Sequence, residues 1–423
     1  MSMEISVIGL GYVGLGVASS FLSLGHRVIA LDKDEEKINL LRKETLPINE
    51  PEILDVLIKN RWKIVYTSDY REINNSKVIF VCINTPDNPD WSVNTSMIDE
   101  GIKSVIEHAS KDSLIIIKST VPVGYTSSVK ELIEDKGLEV AFVPEFLRQG
   151  FAYHDSMNPT RLVFGVESEK ARKIIEELYK PFNVKKVFTN FASAELAKYA
   201  SNNFLATKIT FINQVANFAN AVGADINDVR DIMELDPRIG KGSLNPGVGF
   251  GGGCFVKDTK ALYHQSNEKG RPITISKEVI DENERQKYIL LNALSDLYNG
   301  LENLKDTKIL FVGISFKGNS SDLRNSIAVD NLRVLSRFTN NIEIYDKDIK
   351  SDVLGFKVSG DLEKLVAKND VIMIFTEKNE INDIPNSLFK NKIVLDGRNV
   401  VEKSKICDMC YYFSIGRGTI DKR

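Results

Sequence analysis

Two short stretches of this chain carry residue types suited to chemistry. The first is GLGYVG, where Gly9, Gly11 and Gly14 form GxGxxG after an apolar run and before a helical pattern. In that setting the first glycine permits a tight turn, the second lets a pyrophosphate approach the backbone, and the third allows close helix packing. The helix N-terminus adds N–H groups and positive potential. Asp32 closes the next strand pattern, VIALD, at the distance expected of a carboxylate that takes the adenosine ribose hydroxyls. A carboxylate there repels a 2′-phosphate and favours NAD over NADP, although Lys33 beside it works the other way. The second stretch is GVGFGGGCFVKDTKAL, residues 247–262, in which Cys254 follows a glycine run and precedes Lys257 and Asp258. Glycines keep a backbone open to close approach, and a neighbouring cation raises a cysteine's thiolate fraction. A thiolate beside a bound nicotinamide suits aldehyde oxidation through a thiohemiacetal and a thioester. The plain alternative, a flexible loop with a chance cysteine, leaves an exposed thiol without a role.

The elements that must position these residues follow a strand–helix rhythm. EISVIG at 4–9 and VIALD at 28–32 are apolar runs of the kind buried in parallel sheets, as are KVIFVCI at 77–83, SLIIIKS at 113–119 and EVAFVP at 139–144. Helical patterns lie between them, which implies right-handed βαβ units in a doubly wound sheet. From Ala192 the rhythm stops. Phe204, Phe211, Val215, Phe218 and Val222 form one apolar stripe on a long helix, with Leu205, Ile209, Ile212 and Ala219 beside it and Gly223 as its C-terminal stop. Further helix is expected to about residue 234 and again across roughly 275–299. At Lys308 the strands resume with KILFVGI, IEIYDKD, DVIMIFT and KIVLDGRN. IEIYDKD echoes VIALDKD, but the opening GISFKG lacks the full glycine fingerprint. The expected fold class is α/β. Two Rossmann-like doubly wound domains, 1–190 and 303–423, are joined by a helical middle domain, 191–302, with a long central helix and a role in dimerisation.

Several stretches in order carry a resemblance to the UDP-glucose/GDP-mannose dehydrogenase family over nearly the whole length. They are KSTVPVG at 118–124, VPEFLRQG at 143–150, AELAKYASNNFLA at 194–206, DPRIG at 236–240, the Cys254 loop, SFKGNSSDLRNS at 315–326 and DGRN at 396–399. The resemblance implies removal of two hydrides from one sugar carbon with NAD, giving a carboxylate. Cys254 would attack the aldehyde-level intermediate. Lys198 and Asn202, one helical turn apart, would stabilise the oxygen at the reacting carbon. Asp258 would serve Lys198 or a water, and Thr120 and Glu145 would place the hydrolytic water. The same resemblance assigns cofactor contacts to Gly9, Gly11, Tyr12, Val13, Gly14, Asp32, Lys37, Thr85, Thr120, Gln149, Lys257 and Arg324. Substrate contacts fall to Glu145, Phe146, Leu147, Arg148, Gln149, Lys198, Asn202, Arg238, Ser243, Leu244, Asn245, Pro246, Gly247, Gly251, Lys317 and Arg398. The C-terminal domain would then bind the UDP-sugar. Two positions depart from the family pattern: Gln149 stands where Glu is usual and cannot act as a base, and Ser243 stands where a large residue is common. DPRIG favours UDP-glucose, giving UDP-glucuronate, over GDP-mannose or a UDP-N-acetylhexosamine.

Composition narrows the rest. Lys plus Arg number 55 and Asp plus Glu 58, for a formal charge of −3, with no long basic run for nucleic acid or a membrane surface. No apolar run approaches the roughly 18 residues of a membrane helix. The opening MSMEISVIGLGYVG has no basic segment or cleavage site of a secretory signal, so the cytoplasm is expected. Cys82 in VIFVCI reads as a buried strand residue. Cys407 and Cys410 form a single CxxC without the further ligands of a zinc site, and no metal is expected. The rival classes are a non-catalytic NAD-binding regulator, which here lacks a basic DNA-binding module, and a two-electron β-hydroxyacid dehydrogenase, which needs no glycine-embedded cysteine.

Overall fold

The computed structural model describes residues 2–406 and 408–422. They divide into two compact units, residues 1–201 with 264–272, and residues 202–263 with 273–423. The first unit holds a sheet of β1 (Glu4–Ile8), β2 (Arg27–Leu31), β3 (Ile64–Thr67), β4 (Val78–Val81), β5 (Leu114–Ile117), β6 (Glu139–Phe142), β7 (Leu162–Gly165) and β8 (Lys186–Thr189). Its order is β3-β2-β1-β4-β5-β6-β7-β8. All neighbours are parallel except β6 and β7. The middle strands are apolar throughout because both faces are covered. Ile5, Val7, Val28, Phe80 and Ile116 go to one core, and Ile8, Leu31, Ile79, Ile115 and Ile117 to the other.

The second unit holds β9 (Ile309–Val312), β10 (Ile342–Tyr345), β11 (Val358–Ser359), β12 (Val371–Ile374), β13 (Ile393–Asp396), β14 (Tyr411–Ser414) and β15 (Thr419–Asp421). They are ordered β11-β10-β9-β12-β13-β14-β15, with only β15 antiparallel. Both sheets therefore contain the 3-2-1-4-5-6 order of dinucleotide-binding folds, with a switch point between β1 and β4 in one and between β9 and β12 in the other. The expected pair of Rossmann-like sheets is present. The short strands β3, β7, β8, β11, β14 and β15 were not anticipated, since they lie outward from the fully buried strands and lack the continuous apolar signal.

The DKD echo has a structural basis. Asp32 follows β2 and accepts the Leu10 N–H at 2.8 Å on one oxygen and the Asp34 N–H at 3.1 Å on the other. Asp346 follows β10 and accepts the Ile314 N–H at 2.9 Å and the Asp348 N–H at 3.0 Å in the same way. Each carboxylate thus ties the strand 1 turn to the end of strand 2.

The long helix runs Phe191–Val222 and stops at Gly223, whose φ is +74°. Its later turns bury Ile212 and Ala216 in one core with Val248, Leu290 and Phe311. Asn220 gives its amide N–H to the Ser414 carbonyl at 3.1 Å and accepts the Gly418 N–H at 2.8 Å. The helical segment and the C-terminal sheet therefore share one core. The other side of the helix leaves Phe204, Phe211, Phe218 and Val222 between 51% and 67% exposed. The helix expected across roughly 275–299 is present as Thr274–Gln286 and Ile289–Tyr298. Among the described residues no helix is long and apolar enough to cross a membrane. None of their His, Cys, Asp and Glu groups could hold a metal ion, and Cys407 lies outside them.

Candidate active site

In the first unit a cleft of about 510 Å³ opens at the switch point, lined by Gly9, Gly11, Asp32, Lys37, Cys82 and Glu100 among others. Gly9 has φ +89°, and a Cβ there would stand 2.7 Å from the Cys82 carbonyl oxygen. A Cβ on Gly14 would collide with the Gly9 carbonyl. At Gly11, by contrast, a Cβ meets nothing within 4 Å, so this position faces open space rather than protein. The helix Tyr12–Ser23 begins there with no side-chain cap and no acidic residue in its first turn. Tyr12 and Val13 thus open an uncapped N-terminus suited to a pyrophosphate. These features fit a dinucleotide. The Lys37 ammonium lies 2.7 Å from Asp32, so this carboxylate carries its own counter-ion.

The catalytic candidates of this unit gather on three segments. After β5, Thr120 sits in a loop fixed at every turn. The Ser119 hydroxyl bonds the Ile83 carbonyl at 2.6 Å, and the Thr85 hydroxyl bonds the Thr120 carbonyl at 2.7 Å. Thr85 therefore ties two loops together. At the far end of the loop, Gln265 accepts the Val123 N–H at 2.7 Å. The fully buried Glu195 accepts the Gly124 N–H at 2.6 Å, and the Thr126 N–H and hydroxyl at 2.9 and 2.6 Å. One helical turn on from Glu195, Lys198 gives hydrogen bonds of 2.8 Å to both the carbonyl and a carboxylate oxygen of Glu145. The other carboxylate oxygen accepts the Leu147 N–H at 2.7 Å. Burial raises the Glu145 carboxyl, but the Lys198 ammonium and the Leu147 N–H outweigh it and hold the group below its usual range. The segment Glu145–Gln149 is anchored by other side chains. Arg161 stacks 3.8 Å from the Phe146 ring centre, Arg148 is forked onto Asp155, and Glu50 accepts the Gly150 N–H at 2.5 Å. Gln149 is half-buried.

In the second unit, half-buried Cys254 immediately precedes the helix Phe255–Glu268, and its carbonyl accepts the Asp258 N–H at 2.8 Å. A helix N-terminus favours a thiolate. Asp258 is 1% exposed, and its carboxylate receives the Asn202 amide at 2.6 Å and faces the Lys257 ammonium at 3.2 Å. Lys257 is thereby engaged with Asp258. The glycine loop is held from outside. Asn283 pairs with both backbone groups of Phe250 at 2.9 Å, and Asn325 bonds the Gly252 carbonyl at 2.9 Å. Here the expectation that these glycines stand open to a ligand needs correction at Gly251 and Gly252. A Cβ on Gly251 would meet the Asn325 carbonyl at 2.2 Å, and one on Gly252 the Phe316 ring at 2.7 Å. Close packing against residues 316–325 is what excludes side chains there. Arg324 is paired with Asp322 at 2.6 Å and lies against Gly253.

The remaining substrate candidates of this unit form one cluster and some outliers. Gly247 packs on the Arg398 guanidinium, whose Nε bonds the Phe375 carbonyl at 2.8 Å and stands 3.6 Å from Glu377. The exposed Glu377 carboxyl is drawn below its usual range by Arg398 and, further down, Lys317. Leu244 and Pro246 are buried, Asn245 bonds Arg230 at 3.0 Å, and Ser243 takes φ +57°. Arg238 stands outside the cluster, 88% exposed and paired with Asp236. Sequence reasoning missed Glu50, Arg161 and Glu195, whose partners are distant along the chain, although Glu195 lies inside the recognised 194–206 stretch.

Comparison with known proteins gives the family of the chain. Family descriptions of the UDP-glucose/GDP-mannose dehydrogenases match in three parts: the NAD binding domain at residues 3–183, the central domain at 192–285 and the UDP binding domain at 310–403. A UDP-glucose 6-dehydrogenase of Bacillus subtilis (strain 168) is 36% identical over 99% of this chain and 94% of its own. One from Rickettsia conorii is 34% identical over 98% and 99%. A solved UDP-glucose dehydrogenase from Pyrobaculum islandicum superposes with a TM-score of 0.91 at 30% identity, covering 98% of both chains. A UDP-D-ManNAc dehydrogenase from Pyrococcus horikoshii gives 0.87 at 27%, covering 98% of this chain and 99% of the other. The chain belongs to the UDP-glucose/GDP-mannose dehydrogenase family and is an NAD-dependent nucleotide-sugar dehydrogenase.

Proposed function

We propose that the protein oxidises UDP-glucose to UDP-glucuronate in four electrons, with Cys254 as the covalent nucleophile. The observation that carries this reading is the placement of Cys254 at a helix N-terminus, beside Arg324-packed Gly253 and ahead of the buried Asp258. Gly9, Gly11, Gly14 and Asp32 would hold NAD in the switch-point cleft, where it would supply the hydride acceptor for both oxidations. The chain's own residues do the rest. Lys198 and the Asn202 amide stabilise negative charge on the oxygen of the reacting carbon. The Cys254 thiolate adds to the aldehyde carbonyl to give a thiohemiacetal, and oxidation of that adduct leaves a thioester. Glu145 and Thr120 direct water at the thioester carbonyl, releasing the carboxylate and the thiol. Gln149 cannot share this work as a base, so the proton falls to Glu145.

Arg398, Lys317, Gly247 and the 243–246 segment would hold the diphosphate and uridine, with guanidinium and ammonium suited to the phosphates. UDP-glucose is supported by the curated relatives at 34–36% identity and by DPRIG at 236–240. On this reading, residues 1–190 bind NAD, 191–302 form the middle domain and 303–423 bind the UDP-sugar. The exposed stripe of Phe204, Phe211, Phe218 and Val222 supports a homodimer formed through the long helix. The cytoplasm suits an enzyme that draws on NAD and UDP-sugars. NADH formation against a panel of UDP-glucose, UDP-N-acetylmannosamine and GDP-mannose tests the substrate. UDP-glucose turned over at the highest kcat/KM supports the reading, and preference for either of the others replaces it.

A further inference from the structure

A cavity of about 320 Å³ lies behind Glu145 in the first unit, large enough for several waters, each occupying on the order of 30 Å³. Two ionisable groups line it from the catalytic side, Glu145 itself and Lys118, the residue after β5. Ser20, Ser156 and Thr160 also border it, offering partners for water. Lys118 reaches the carbonyls of Val143 and Pro144, both at 3.5 Å, which is the long limit of a hydrogen bond. Lys198, by contrast, is paired closely with Glu145. Burial pulls the Lys118 ammonium below its usual range, Cys82 and Glu145 oppose this, and Lys198 adds to it. The other charged groups around the cavity are committed elsewhere. Arg148 and Asp155 pair at 2.7 Å, and Arg161 lies over Phe146. Burial pushes the Cys82 thiol up to about 12 and the Tyr179 phenol higher still, so both stay neutral near pH 7. A half-buried amine held only at the long limit of its hydrogen bonds is free to exchange its proton.

We propose that Lys118 and the water of this cavity carry away the proton that Glu145 takes from the hydrolytic water. The inference rests on the reading above, in which Glu145 handles that proton. Water adds to the thioester carbonyl and the C–S bond breaks; one of its protons goes to the Cys254 sulfur, and the other must depart as the carboxylate forms. The O–H bond of that water breaks and a carboxyl O–H forms on Glu145. That proton then passes through a cavity water to Lys118, which gives one of its own to water at the cavity mouth. The cycle leaves Glu145 ionised and Lys118 in its starting state, ready for the next turnover.

Lys118→Arg and Lys118→Met separate this role from simple support of the 143–144 backbone. Arginine keeps a cation at the carbonyls but does not release its proton. The relay predicts that kcat falls about 10- to 100-fold in both variants, while KM for UDP-glucose stays within about threefold. It also predicts that the pH dependence of kcat moves in both and that methylamine restores part of the rate to Lys118→Met. Wild-type kcat in the arginine variant overturns the relay, since charge alone would then suffice. Loss in both variants without amine rescue and with an unmoved pH profile also overturns it and leaves Lys118 a support of the loop. Should the methionine variant not fold, the arginine variant's kcat and pH profile still decide. Glu145→Gln is the control for the parent reading. Normal turnover there removes Glu145 from the chemistry, whereas an impaired Glu145→Gln beside normal Lys118 variants removes only the relay.

Discussion

Asp32 and Asp346 occupy equivalent places in the two sheets, but Asp346 is sealed by a buried lysine while Asp32 faces a cleft. Lys378 is 1% exposed and bridges Asp346 at 2.8 Å and Asp348 at 2.9 Å. Lys37, the counter-ion of Asp32, comes from the helix beginning at Glu35 and remains partly exposed. The first carboxylate can therefore exchange its cation for a ribose, and the second is part of the core.

That difference predicts a stability effect confined to the second site. Lys378→Met leaves two carboxylates without their buried cation and is expected to destabilise by about 3–5 kcal/mol, read as a lowered urea midpoint. Burial raises the Asp346 carboxyl, but Lys378 and the backbone N–H groups bring it below its ordinary value. A carboxyl depressed in the fold stabilises above its unfolded pKa, and the contribution is lost as pH falls through the folded pKa. Wild type should therefore lose stability on the acid side of the ordinary aspartate range, and Lys378→Met should show a smaller acid-side loss. A midpoint unchanged at neutral pH contradicts the assignment.

At the first site the prediction concerns cofactor choice. Asp32→Ala should weaken NAD binding about 10- to 100-fold, the scale of a charge-assisted hydrogen bond of 1.5–3 kcal/mol. It should also narrow the gap between NAD and NADP. Lys37→Ala leaves the Asp32 charge unscreened and should widen that gap. Fluorescence titration with both cofactors checks the pair. Equal use of NADP by wild type contradicts the role given to Asp32.

Glu195 is expected to act through the Thr120 loop. Glu195→Ala orphans the Gly124 and Thr126 N–H groups, at about 1–3 kcal/mol each. With the loop loosened, kcat should fall more than KM rises, and Glu195→Gln, which keeps one acceptor, should recover part of it. An alanine variant with unchanged kcat shows that the loop needs no such anchor.

The phenylalanine stripe predicts assembly. Light scattering should give twice the 47.4 kDa of one chain, and Phe211→Glu with Phe218→Glu should reduce it to one. A wild-type mass of a single chain at micromolar concentration contradicts the dimer.

How much of this was legible in the sequence follows from the range of each interaction. The central strands announced themselves because both faces are buried, and Gly9, Gly11, Gly14 and Asp32 because a dinucleotide site is built from neighbours in sequence. Cys254 stood out within its glycine run. The meaning of that run did not, since Gly251 and Gly252 are answered by Asn325 and Phe316, more than sixty residues away. Glu50 and Glu195 were silent for the same reason, being separated from their backbone partners by 100 and about 70 residues. Lys118 lay inside a recognised stretch, but its cavity exists only once β5, the 144–148 loop and the helix Tyr12–Ser23 are assembled.

The central claim, covalent four-electron oxidation at Cys254, is tested most directly by the NADH yield from limiting UDP-glucose in wild type and Cys254→Ser. Wild type should form two NADH per sugar. The serine variant, whose hydroxyl is a poor nucleophile without a dedicated base, should bind both ligands yet lose steady turnover by several powers of ten, each about 1.4 kcal/mol of barrier. One NADH per sugar in wild type, or a serine variant within about threefold of wild-type rate (under 0.7 kcal/mol of barrier), would contradict the account.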